Sequence, residues 1–316
     1  MRRCDALVTL AMRTDLDHLP AAKRDELVEV VRILFAEFED ALAGRNAPHR
    51  KAGRILKIIL FGSYARGNWV ADPVGRYFSD YDLLVVVNHD DLADLTEYWA
   101  QADDRLVREH VTGGRLQTPV NFIVHSLDDV NAQLRRGRPF FVDAVRDGIA
   151  LYEAPDHPFG AAKRLPRVKA QAEARSLFEE WFPPVAYALE RARRSMADGE
   201  FRFAAFDLHQ AAERLYHCTS LVLTLYSPKS HKLNFLRSQA ERLAPSLIAA
   251  WPRDTRFSQR AFDLLRRAYV DARYSPHYRI EEAELDWLLE RASCLADLVR
   301  EECERHLEGS DDREPD

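Results

Sequence analysis

Two short patterns in the first third of the sequence carry residue types that can do chemistry. One is Gly62-Ser63, directly after the apolar run ILKIILF at 55–61. A residue without a side chain lets the backbone come close to a ligand, and the Ser63 hydroxyl and amide are donors of the kind that hold phosphate. A helix opening at Tyr64-Ala65-Arg66 turns free N–H groups and its positive end toward the same anion. The other pattern is Asp80 and Asp82 in YFSDYDLLVVV. Side chains alternate along an extended chain, so both carboxylates point one way while Tyr81 points the other. Two adjacent carboxylates repel each other, and a divalent cation removes that repulsion. Magnesium is the natural candidate, because it takes hard oxygen ligands and keeps positions for phosphate oxygens and water.

These residues need strands to carry them and helices to cover the strands. The segment 21–43 repeats apolar residues at Leu27, Val28, Val31, Leu34, Phe35, Phe38 and Leu42, the period of an amphipathic helix that needs a partner surface. That surface is supplied by ILKIILF at 55–61, DLLVVV at 82–87, VNFIVH at 120–125 and IALY at 149–152. Between them, 91–110 reads as helix. Ser126 with Asp129 forms a capping box for a helix through Leu134, and PFFVDAVRDG at 139–148 reads as a short helix closed by Gly148 in a left-handed C-cap. The alternation builds one domain of helix and strand over roughly 1–155.

The stretch EAPDHPFGAAKRLPR at 153–167 concentrates proline, glycine and charge, the composition of a linker. Beyond it the periodicity is helical over 168–198, 203–226, 231–243, 257–274 and 281–306, with Pro183-Pro184 expected to kink or divide the first segment. Short connections make an antiparallel bundle the economical arrangement. A chain of 316 residues suits two such cores, and 47% hydrophobic against 30% charged residues excludes a disordered class. A net charge of −6 argues against a surface devoted throughout to nucleic acid. Cys4, Cys218, Cys294 and Cys303 lack zinc spacing and read as free thiols of a reducing compartment. No apolar run is long enough to span a bilayer, and MRRCDALVTLAMRTDLDH carries acidic residues where a secretory signal would stay apolar. A cytoplasmic protein without a membrane partner is expected, and the tail GSDDREPD is expected to fray.

With Arg66 and Gly67, the turn and the carboxylate pair read GSYARG followed by DYD. This resembles the nucleotidyltransferase superfamily of polymerase-β-like enzymes, in particular the small domains related to kanamycin nucleotidyltransferase. The resemblance implies an α+β fold over 1–157, a small mixed β-sheet with flanking helices. It also implies ATP or another nucleoside triphosphate held by Gly62, Ser63 and Arg66, and magnesium on Asp80 and Asp82. The reaction it implies moves a nucleoside monophosphate to a hydroxyl of a small molecule, such as an aminoglycoside, or of a protein. The segment NWVADPVGRYF is longer than in the smallest members and offers Arg76 as a phosphate contact. The family's third carboxylate, which often activates the acceptor, falls on TPVNFIVHS, where Asn121 stands and cannot take up a proton at neutral pH. His125, on the same face by the period-two rule, is the alternative base, and Glu97 and Glu109 of the preceding helix are further substitutes.

In the second half, AAFDLHQAAERLYH, PKSHKLNFL and AYVDARYSPHYRI resemble the HEPN domain, an all-α bundle often joined to a minimal nucleotidyltransferase. This implies a bundle over 165–307 and a homodimer formed through it; a protein hydroxyl as acceptor is what toxin–antitoxin pairs of related modules imply. Some HEPN domains are ribonucleases with arginine and histidine spaced R-x4-6-H. The nearest arrangement here, Arg273 to His277, has three intervening residues and a proline. Arg273 is read instead as pairing with Asp271 or Glu213. Core packing is expected of the histidines in 203–226, and a solvated face of Lys229, His231 and Lys232. Ribonuclease action on RNA under control of the first domain is the alternative, and a noncatalytic nucleotide-binding protein a third.

Overall fold

The computed structural model describes residues 12–44, 47–72, 77–112 and 114–309. Cys4, Arg76 and most of the C-terminal tail lie outside the described residues. The chain divides into two units, residues 1–165 and 166–316.

In the first unit, the apolar runs Ile55–Phe61 (β1) and Tyr81–Val87 (β4) are buried along their whole length, as central strands covered on both faces must be. With Val120–Ser126 (β5) and Ile149–Glu153 (β6) they form a mixed sheet in the order β5-β4-β1-β6. β4 runs parallel to β5, and β1 runs antiparallel to both β4 and β6. The small pair Ala71–Asp72 (β2) and Tyr77–Phe78 (β3) stands apart. Ala21–Leu42 (α1) and Ala100–Val111 (α4) cover one sheet face, where Leu27, Val30, Leu34 and Phe38 meet Leu83, Val85 and Trp99. The buried stripe of α1 thus runs through Leu27, Val30, Leu34 and Phe38, whereas Val28, expected within it, is 68% exposed. It lies one residue, about 100°, around the helix from Leu27. Leu127–Arg136 (α5) and Pro139–Asp147 (α6) cover the other face. Two short helices, Pro48–Lys51 (α2) and Gly62–Arg66 (α3), bracket β1.

Three local expectations are modified. The helix expected over 91–110 is a 3-10 turn at Asp90–Ala93, a π turn at Leu95–Trp99 and then α4. The Asp94 carboxylate causes the break by accepting the Thr96 and Glu97 N–H groups, both at 2.9 Å. Gly148 is extended rather than left-handed. Its missing side chain matters for another reason, because a Cβ would collide with the Ala144 carbonyl oxygen and the Ile59 side chain. The linker-like stretch lies against the first unit: Ala154 N–H reaches Leu56 O at 2.7 Å, Gly160 N–H the Asn131 side chain at 2.6 Å, and Lys163 N–H Leu134 O at 2.9 Å. Phe159 covers the ammonium of Lys57, a fully buried cation paired with Glu153.

The second unit is all helical: Arg167–Trp181 (α7), Pro184–Ala197 (α8), Phe201–Thr224 (α9), Leu233–Leu243 (α10), Arg256–Tyr274 (α11) and Glu282–Glu308 (α12). Pro183-Pro184 divides the first helical segment, since proline removes an N–H and clashes with the preceding turn. α9 is the axis against which the other five pack. Ala204, Ala205, Ala211 and Ala212 are fully buried on it and allow that close approach. Cys218 and Cys303 are buried free thiols, and Cys294 is a half-buried one. Among the described residues, no helix is long and apolar enough to cross a membrane.

Candidate active site

β1 ends at Phe61, and its antiparallel register sets Phe61 opposite Asp82 of β4. Gly62-Ser63 therefore emerges beside Asp80 and Asp82. The turn from β1 into α3 requires φ of +77° at Gly62, a left-handed backbone that glycine adopts without strain. α3 lasts one turn and closes on Gly67, also at φ +77°, whose N–H returns to Ser63 O. Ser63 is buried, and Arg66 stands exposed at the end of the turn. The charge of Arg66 acts on Asp143 and Asp147 of α6. Burial nevertheless pushes the Asp143 carboxyl above its ordinary range, against the pull of Arg146. Phe140, at the start of α6, meets Phe61 edge to face with ring centroids 5.4 Å apart, so α6 borders the same end of the sheet.

Asp82 is 1% exposed and Asp80 half-buried. β5 lies parallel to β4 with Asn121 opposite Asp82, and Asn121 Nδ2 donates to Asp80 Oδ2 at 2.9 Å. Gly62, Ser63, Asp80, Asp82 and Asn121 are thus brought together. His125 is not among them. It shares their sheet face but pairs with Val86, four residues along β5 from Asn121, or about 13 Å at strand rise. Its Nδ1 lies 2.6 Å from Asp129 Oδ2 and its ring abuts Phe141. Asp129 consequently gives its carboxylate to His125 and Gln133, while Ser126 Oγ still accepts the Asp129 N–H at 3.0 Å. Glu97 pairs with Arg50, and Glu109 accepts the Arg115 N–H.

Behind the turn lies a polar cluster that the α1 periodicity gave no reason to expect. Lys23 reaches Glu26 and Thr118, and Glu26 accepts the Thr118 N–H at 3.2 Å. Tyr64 and Tyr81 stand 4.5 Å apart above them, and burial raises both phenols above their ordinary value. His18 fixes the other side of α3 by bonding Tyr64 O at 2.7 Å. The one signal in the sequence was Glu26, a charged residue on the buried stripe of an amphipathic helix.

In the second unit, Arg273 does not pair with Asp271 or Glu213. Its Nε donates to Tyr269 O at 2.7 Å, and its guanidinium lies over Phe206, Tyr269 and Tyr274 at 5.0, 4.5 and 5.0 Å. Asp271 pairs with Arg267. α11 ends at Tyr274, which leaves His277 exposed beyond the helix. Glu213 instead gathers histidines: His209 Nε2 at 3.2 Å, His231 Nδ1 at 3.0 Å and His217 Nε2 at 4.0 Å. His231 also stacks on Tyr269 at 4.3 Å, so it is not part of a simply solvated basic face. Glu213, His217 and His231 border a cavity of about 660 Å³ lined also by Trp181 and Arg214.

Burial pushes the Glu213 carboxyl up, but the adjacent His209 and His231 imidazoles outweigh it and hold it below its ordinary value. Burial holds His217 and His306 down as well. All three groups have lower folded than unfolded values, so the unfolded chain takes up protons first as the pH falls. The stability of the helical unit is expected to be full above pH ~6.5, to fall through the histidine range, and to fall again below pH ~4.5 as Glu213 protonates. Thermal melting followed by circular dichroism from pH 8 to about 4 checks this; a midpoint that rises on acidification would refute it.

Residues 46–126, from before β1 to the end of β5, match the family model described as Nucleotidyltransferase domain. Residues 178–302, from the end of α7 into α12, match the model described as HEPN domain. The comparison with curated proteins gives no match.

Proposed function

Since the chain contains a nucleotidyltransferase domain followed by a HEPN domain, we propose that the first unit moves a nucleoside monophosphate, AMP from ATP, to an acceptor hydroxyl with release of pyrophosphate. The observation that carries this reading is the strand register that sets the Asp80/Asp82 pair beside the Gly62-Ser63 turn. The donor set suits magnesium. Two carboxylates stand together, and the described residues contain no cluster of three or more His, Cys, Asp or Glu side chains placed to hold a metal. Such a pair fits an ion held by one or two carboxylates and completed by substrate phosphates. Magnesium bound there would polarise the phosphoryl oxygens and offset the charge that develops on transfer.

The chain's own groups do the positioning. The Gly62-Ser63 amides and the Ser63 hydroxyl receive phosphate oxygens, Arg66 adds positive charge at the edge, and Arg76 is assigned to a further phosphate contact. Asn121 holds Asp80 and takes no proton. His125, engaged by Asp129, is assigned a structural part. The helical unit is assigned to homodimer formation. Ribonuclease action is not favoured, because Arg273 lies in an aromatic stack and His277 beyond the helix end.

Isothermal titration with ATP and magnesium, followed by mass analysis of the nucleotides and the protein, tests the reading. Magnesium-dependent binding with pyrophosphate and an AMP-bearing product is expected; folded protein that binds no nucleoside triphosphate would overturn it. Gly62→Ala gives a narrower test. A side chain at φ +77° costs ~1–2 kcal/mol of folding stability. The added methyl also stands where the phosphate approaches, so ATP affinity is expected to fall by about tenfold or more in the same titration.

A further inference from the structure

We infer that Asn121 is a positioning residue that makes the Asp80/Asp82 centre a single-cation site, filled together with the nucleotide rather than ahead of it. The inference rests on the nucleotidyltransferase reading above.

Three observations lead to it. Asn121 is the in-register neighbour of Asp82 on β5, so an acidic side chain at this position would complete a three-carboxylate cluster. Its amide donates to Asp80 Oδ2 at 2.9 Å. A carboxylate only accepts, so the amide nitrogen must face it, and one Asp80 oxygen already serves as the acceptor for a neutral group. Finally, the described residues hold no third acidic or imidazole ligand grouped with the pair. The nearby α6 carboxylates, Asp143 and Asp147, are paired with Arg146 at 2.9 and 2.7 Å.

Charge then decides the number of ions. Two divalent cations sharing a centre sit about 4 Å apart and bring four positive charges. Asp80 and Asp82 supply two negative charges, enough to balance one cation ahead of the nucleotide, and with Asn121 in place of an acid no further carboxylate among the described residues is grouped with the pair to hold a second ion on the protein. A neutral donor beside the pair relieves carboxylate repulsion without attracting a further ion. One magnesium, reluctant to lose its water, gains most when the triphosphate contributes oxygens at the same time.

Manganese, followed by electron paramagnetic resonance, is the probe, with a non-hydrolysable ATP analogue and without it. The native chain is expected to bind manganese weakly alone and one equivalent with the analogue. Asn121→Asp is expected to tighten nucleotide-free manganese binding by at least about tenfold and to admit a second equivalent. Asn121→Ala, which neither donates nor carries charge, should keep one equivalent and weaken it in the ternary complex. Melting curves confirm that each variant is folded. Two equivalents in the native chain, or an Asn121→Asp variant with unchanged affinity and stoichiometry, overturn the inference while leaving the nucleotidyltransferase reading intact. Native protein that binds neither manganese nor the analogue overturns both.

Discussion

Replacing Asp80 and Asp82 together by alanine is expected to abolish magnesium-dependent nucleotide binding and to reduce any transfer by at least ~10³-fold in kcat/KM, with the fold retained. The expectation follows from where the register puts them. Asp82 is almost wholly buried at the head of β4, and Asp80 stands next to it under the Asn121 amide. Thermal melts check that the fold is retained. Asp82→Asn keeps the shape and removes one charge, and it is expected to lose nearly as much activity as the double variant. Calorimetry with magnesium and ATP, run beside thermal melts, reads both quantities. A double variant that still binds magnesium-ATP with native affinity would place the nucleotide elsewhere.

The same pair shows how far the sequence could be read. Strands β1 and β4 were legible because a continuous apolar run between a glycine turn and an acidic pair has little alternative to a buried strand. The helices of the second unit were legible because Pro183-Pro184, Pro228 and Pro276 punctuate them. His125 shows the limit. The period-two rule assigns a face and is silent about distance along it, so a histidine on the right face is still about 13 Å from Asn121. Gly148 was recognised as special for the wrong reason, since close approach of backbone and side chain depends on what packs there. Residues brought together by tertiary structure left almost no trace. His209, Glu213 and His217 fall at helical spacing on α9, yet nothing local says that the loop before α10 will deliver His231 to the same carboxylate. The Arg237–Glu241 pair has an ordinary surface spacing, and only the fold reveals that it is buried.

That pair should control the stability of the helical unit. Arg237 Nε lies 2.5 Å from Glu241 Oε1, the two side chains being 6% and 1% exposed. The guanidinium stacks on Phe262 at 4.5 Å and reaches Trp251 O at 3.3 Å, while Trp251 Nε1 donates to Tyr216 OH at 2.8 Å. Arg237 thereby joins α10 to the segment before α11 and, through Trp251, to the central helix α9. Arg237→Ala removes the guanidinium closest to the buried Glu241 carboxylate in these contacts, with Arg253 remaining at 3.3 Å. The expected loss is ~3–5 kcal/mol, the range for breaking a buried pair by removing one partner. Arg237→Met/Glu241→Met removes both charges and keeps most of the volume. It is expected to recover most of the loss, because the destabilisation comes from the stranded carboxylate rather than from the absence of an attractive pair. Urea unfolding followed by circular dichroism distinguishes the cases. If the double variant is as unstable as Arg237→Ala, the packing of the guanidinium on Phe262 and its bond to Trp251 hold the helices together, and the charge of Glu241 is not the cause.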